Sequence, residues 1–140
     1  MAGINRLIAH PLHPRDRGIT REFSLMPPPL SIAITAFNEE ANLARCLQSV
    51  VDIAEEIVVV DSGSTDRTKE IARGFGVRVV HQDWLGHSGQ KQVAIGHCTK
   101  EWVLVLDCDE ELSPVLRESV LDFFNSGKSK QFDGAYHFSC

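Results

Sequence analysis

The chain lacks several features, and each lack removes a class of protein. No apolar run is long enough to cross a membrane as a helix, so any membrane contact is expected to be peripheral. Its four cysteines, Cys46, Cys98, Cys108 and Cys140, show neither a CxxC pair nor metal-finger spacing. Without a secretory signal either, they read as free thiols in a reducing cytoplasm. Lys and Arg number 14 against 19 Asp and Glu, for a net charge of −5. That balance argues against a general nucleic-acid binder, which would carry a basic patch. It still allows a nucleotide whose phosphates arrive with their own metal. No GxGxxG follows the first patterned strand, which disfavours a dinucleotide-binding domain. The lack of a Walker A sequence removes P-loop nucleotidases.

What is present fits one domain. A length of 140 residues with 43% hydrophobic and 24% charged content suits a single soluble core. Residues 1–25 stand apart: Arg6, His10, His13, Arg15, Arg17 and Arg21 fall there without clear periodicity. This stretch is expected to be a flexible tail or a mis-assigned start, with Met26 as the natural beginning of a domain over 26–140. Pro27, Pro28 and Pro29 then form a stiff, extended lead-in.

From Leu30 onward strands and helices alternate. Apolar runs at 30–35, 56–60, 77–80 and 102–106 read as strands buried on both faces, and 134–138 alternates as a fifth. Helices are expected at 39–51 with Asn38 as cap, at 69–75 capped by Ser64 or Thr65, at 90–97, and from Ser113-Pro114 through Phe124. The pattern predicts an α/β fold with a mostly parallel sheet and helices on both faces. Right-handed crossovers would bring the ends of the strands at 30–35, 56–60 and 102–106 to one edge. Ligands bind beyond such carboxyl ends.

The strand at 102–106 ends in four acids within five positions, Asp107, Asp109, Glu110 and Glu111. Carboxylates so close repel one another unless a cation sits among them, and a divalent metal completed by a ligand's phosphates is the usual solution. The competing explanation is that they only favour the start of the next helix. A phospho-receiver domain also uses an acidic Mg2+ pocket. It would want its acceptor Asp after the strand at 77–80, where this chain has His81-Gln-Asp83.

Three segments together carry a resemblance: Ile34-Thr-Ala-Phe-Asn-Glu39, Val58-Val-Val-Asp-Ser-Gly-Ser-Thr-Asp66 and Leu104-Val-Leu-Asp-Cys-Asp-Glu110. In order and spacing, with Lys91 before the last strand, they resemble family 2 glycosyltransferases of the GT-A fold. The branch that builds the lipopolysaccharide core, similar to beta-1,4-glucosyltransferases, is the nearest in flavour. The resemblance implies the nucleotide-binding half of a GT-A domain and an inverting, metal-dependent transfer from a UDP-sugar to a glycan or glycolipid acceptor. Asp107 and Asp109 would form the DxD that holds Mn2+ or Mg2+. Asp61 and Gly63 would lie at the base or ribose, Thr35, Ala36, Phe37 and Glu39 would wrap the base, and Lys91 would meet phosphate or base.

Where two acids are common in that family, this chain has Asp61-Ser62. No stretch matches the family's acceptor half or its general base, expected beyond Cys140. A truncated enzyme, or a nucleotide-sugar-binding fragment without activity, is therefore the expectation. An incomplete fifth-strand edge would favour self-association. The implied location is cytoplasmic, peripheral on the inner face of the membrane. Trp84 is open to two readings, a shelter for the donor sugar or an aromatic lid over the core. His81, His87 and His97 show no ligand spacing.

Overall fold

The computed structural model describes residues 6–9, 27–131 and 134–137. Strands are β1 (Arg6–Ala9), β2 (Leu30–Ala36), β3 (Glu56–Asp61), β4 (Arg78–His81), β5 (Trp102–Asp107) and β6 (Ala135–His137). Helices are α1 (Leu43–Gln48), α2 (Thr68–Gly74), α3 (His87–His97) and α4 (Pro114–Asn125), followed by a 3-10 turn at Lys128–Lys130. One sheet in the order β4-β3-β2-β5-β1-β6 contains all the strands. The four from β2 to β5 pair in parallel, while β1 pairs antiparallel with both β5 and β6. The expected α/β fold with a mostly parallel sheet is present.

Successive strand residues point to opposite faces, and each face has its own apolar layer. Ile32, Ile34, Val59, Leu104 and Leu106 pack with Leu43 and Leu47 of α1, Ala72 of α2, and Leu116, Val120, Phe123 and Phe124 of α4. On the other face Ala33, Val58, Val60 and Val103 pack with Ala94 of α3 and with Cys98. Helices thus cover both faces. Trp102, 1% exposed, meets Phe123 edge to face with ring centroids 5.0 Å apart and planes at 84°. Helix α4 starts as the sequence foretells: Ser113 Oγ accepts from Leu116 N at 3.2 Å, and proline occupies the first turn.

Three expectations need correction. Within the stretch read as a tail, residues 6–9 form a strand; the rest of 1–25 lies outside the described residues. Helix α1 is shorter than 39–51, with only Leu43–Gln48 in regular helix and turns at 40–42 and 49–53 on either side. Helix α3 begins at His87 rather than residue 90, since Gly86 at φ 87° turns the chain into it. Among the described residues no helix is long and apolar enough to cross a membrane.

Removing a fully packed aromatic leaves a cavity that the neighbours only partly fill. Phe123→Ala is expected to destabilise the fold by roughly 3–5 kcal/mol, read by urea unfolding.

Candidate functional site

Strand register puts the three polar segments together. Ala36 pairs with Asp61, and Thr35 pairs with Asp107, so the ends of β2, β3 and β5 lie side by side. Hydrogen bonds then tie the loop after β2 to the loop after β3. Ser64 Oγ accepts from Asn38 N at 2.8 Å, and Asn38 Oδ1 accepts in return from Thr65 N at 2.9 Å. Thr68 Oγ1 accepts from Glu39 N at 2.8 Å, and Asp66 Oδ2 from Glu40 N at 3.2 Å. Asn38 takes φ 49°, a left-handed conformation that asparagine tolerates better than most residues. It is therefore a loop staple and not the cap of α1. Ser64 and Thr65 likewise serve this staple; at the start of α2 it is Asp66 Oδ1 that accepts from Thr68 N, at 2.9 Å.

Asp61 is the centre of that turn. Its carboxylate is 1% exposed and accepts from Gly63 N and Ser64 N, both at 2.9 Å, and from the Ser64 hydroxyl. Gly63 comes two residues later at φ 105°, in the region that favours glycine.

A cavity of about 700 Å³ opens above these strand ends. From the first segment Thr35, Ala36, Phe37 and Glu39 line it; from the last, Asp107, Cys108 and Asp109; from α3, His87, Gln90 and Lys91. Ser62 and Trp84 complete the wall. Of the residues expected at a site, Thr35, Ala36, Phe37, Glu39, Lys91, Asp107 and Asp109 are brought together. Asp61 and Gly63 do not line the cavity; they shape the turn that presents Ser62 to it. Ser62, His87 and Gln90 were missed. Ser62 had a signal, since it stands where a second acid is common. Gln90 had only its place beside Lys91.

Charge is concentrated at the end of β5. Lys91 Nζ lies 3.1 Å from Asp107 Oδ1, with both side chains 39% exposed. Glu110 Oε1 accepts from Asp107 N at 3.1 Å. Burial raises the Glu110 pKa above the usual carboxylate range, and the charges of Asp107 and Asp109 add to this against the lowering effect of that N–H. Oxygens of Asp107, Asp109 and Glu110 lie within 4.8 Å of one another. Opposite ligands of an octahedral cation with bonds of about 2.1 Å are roughly 4.2 Å apart, so small rotations of these hard donors would close a site for Mg2+ or Mn2+.

Beneath the acids Cys46 Sγ donates to the Asp107 carbonyl at 3.7 Å. Burial foremost, then the charges of Glu110, Asp107 and Asp109, push its thiol up to about 12. Burial foremost also raises Cys98 to about 12 and lifts Cys108 further above the usual thiol range.

Residues 31–138 match glycosyl transferase family 2. The chain belongs to that family. This family 2 chain is 42% identical over 103 residues to an uncharacterized glycosyltransferase of Rickettsia typhi, covering 74% of the chain and 35% of that protein. It is 43% identical over 95 residues to the lipopolysaccharide core biosynthesis glycosyltransferase LpsC of Rhizobium meliloti, covering 64% of the chain and 35% of LpsC. Residues 1–349 of S. aureus TarS share the fold, with a TM-score of 0.62 at 23% identity over 74% of the chain and 33% of TarS. Glucosyl-3-phosphoglycerate synthase of Mycobacterium tuberculosis, solved with UDP, gives a TM-score of 0.50 at 26% identity over 58% of the chain and 34% of that enzyme. The α/β sheet is thus the GT-A arrangement, and the chain spans about a third of the length of these relatives.

Asp61→Ala deprives three donors of their acceptor, the two on Ser64 being buried, and is expected to destabilise the ligand-free fold by about 1–3 kcal/mol, measured by chemical unfolding. Thiolates are the reactive form of cysteine. At pH 8 a thiol reagent should therefore leave Cys46, Cys98 and Cys108 unmodified in the folded chain and label them in denaturant, as located by mass spectrometry.

Proposed function

We propose that the cavity is the donor site of a metal-dependent, inverting glycosyltransferase that takes a nucleotide-sugar, UDP-linked, and delivers its sugar to a lipopolysaccharide core or other cell-surface glycan. The observation that carries this reading is the convergence of Asp107, Asp109 and Lys91 on one cavity that Thr35, Ala36, Phe37 and Glu39 also line. The UDP held by the mycobacterial relative and the core-building role in the name of LpsC support it.

Each residue has a role that its chemistry allows. Asp107 and Asp109 would hold Mn2+ or Mg2+, with Glu110 in reach as a further oxygen donor. A bound cation supplies positive charge to the diphosphate that leaves as the glycosidic bond breaks. Lys91, paired with Asp107, offers a mobile point charge to phosphate. Thr35, Ala36, Phe37 and Ser62 border the base side. The Glu39 carboxylate can accept from ribose hydroxyls while also receiving the Asn42 amide at 3.0 Å. Asp61 and Gly63 act through the turn.

Inverting transfer further requires a carboxylate base for the acceptor hydroxyl. Donor binding is the step these residues carry; transfer is proposed for a protein that also supplies that base. A glycolipid acceptor would draw such a protein to the membrane surface.

Thermal unfolding of the full chain tests the reading. UDP with Mn2+ at about 100 times the dissociation constant should add roughly 2.7 kcal/mol of stability. UDP without metal should add much less, and Asp109→Asn should remove the metal-dependent part. A cooperative transition that neither ligand moves would sink the assignment.

A further inference from the structure

The loop at 82–86, between β4 and α3, is anchored more firmly than a simple connection requires. Gln90 is 1% exposed and commits both ends of its amide to that loop. Its Oε1 accepts from Leu85 N at 3.1 Å, and its Nε2 donates to the Gln82 carbonyl at 3.1 Å. Just before it, Gly89 lies so close to the loop that a Cβ there would stand 2.7 Å from Leu85 Cβ. Gly86 at φ 87° makes the turn into α3, and its carbonyl accepts from Gln90 N at 2.9 Å. A buried amide satisfied at both ends holds its partners in one arrangement, because breaking either bond strands a polar group.

This rigid loop nevertheless shows two large apolar side chains to solvent: Trp84 is 54% and Leu85 57% exposed. Such a combination suits binding better than core packing. Trp84 borders the cavity, and the His87 ring meets it at a centroid distance of 5.0 Å with planes 89° apart. The contact steadies the indole while much of its surface stays exposed.

We propose that Gly89 and Gln90 are positioning residues that latch loop 82–86 onto α3 and so hold the Trp84 indole as a ring-stacking wall of the donor cavity. The proposal rests on the donor-site reading above. The ring it receives belongs to the nucleotide-sugar, as the base or as the apolar face of the sugar.

The test is calorimetric titration of the full chain with UDP and with UDP-glucose, both with Mn2+. The variants are Trp84→Ala, Trp84→Phe, Gly89→Ala, Gln90→Met and the double variant Gln90→Met/Trp84→Ala. Trp84→Ala should weaken UDP-glucose binding about tenfold or more, as for loss of an aromatic stacking partner. Trp84→Phe should restore most of it. An equal loss for UDP assigns the base; a loss confined to UDP-glucose assigns the sugar.

Gly89→Ala and Gln90→Met should keep a cooperative unfolding transition and weaken binding comparably. The double variant should be no weaker than Trp84→Ala alone, since both changes remove one function. The proposal is overturned if Trp84→Ala leaves both affinities unchanged, or if the Gln90→Met loss adds fully to that of Trp84→Ala. Loss of cooperative unfolding in both latch variants overturns it too, because the residues would then serve the fold.

If the wild-type chain binds neither ligand, the donor-site reading falls and the stacking wall with it. Acrylamide quenching then decides the latch separately. Gln90→Met should raise quenching of the exposed Trp84, and unchanged quenching overturns the latch.

Discussion

The crowding of carboxylates at the end of β5 is the constraint on which the rest of the site depends. A strand buried on both faces delivers Asp107 to the sheet edge, and Asp109 and Glu110 come within a turn of it. Their mutual repulsion is partly offset by Lys91, and the Glu110 pKa is raised by burial foremost, with the charges of Asp107 and Asp109 adding to it. A cation that bridges to phosphate would relieve the same crowding, which is the physical ground for proposing a nucleotide diphosphate as the ligand. The buried thiols of Cys46 and Cys108 fit here as small, neutral packing beneath the acids; a charged group there would add to the repulsion.

The second constraint is that the other walls must not move. Of segment 61–68 only Ser62 lines the cavity. Ser64, Thr65, Asp66 and Thr68 bind the backbone or side chain of residues 38–40, and Asp61 binds its own turn. One motif thus divides its work between a structural staple and a single cavity residue, Ser62. The HSGQK stretch at 87–91 that opens α3 divides its work in the same way, with Gly89 and Gln90 against the loop at 82–86 and Lys91 paired with Asp107.

The parts legible in the sequence were those whose signal is local. Strands β2, β3 and β5 are apolar on both faces, and Ser113-Pro114 is a strong helix start, so these were readable to within a residue or two. Asn38 and Ser64 were legible as polar loop residues but not as partners, because their hydrogen bonds cross 26 residues of chain. Gly86 and Gly89 look like loop breakers; only the close approach to Leu85 explains a helix built around the second. Strand β1 carries no alternation that separates it from a tail, since its pairing with β5 and β6 is set by partners far along the chain. The acids after β5 and Lys91 were found through motif and spacing. Gln90 was not, because a buried amide that organises a loop resembles any other glutamine in sequence.

The most direct test of the central claim is a crystal of the chain grown with UDP and Mn2+, with anomalous diffraction used to locate the manganese. The account predicts one strong peak within coordination distance of Asp109 and Asp107, bridging to the UDP phosphates, with Lys91 shifted from Asp107 toward phosphate. Manganese absent from this carboxylate cluster while UDP occupies the cavity, or UDP bound away from residues 35–39, would contradict it.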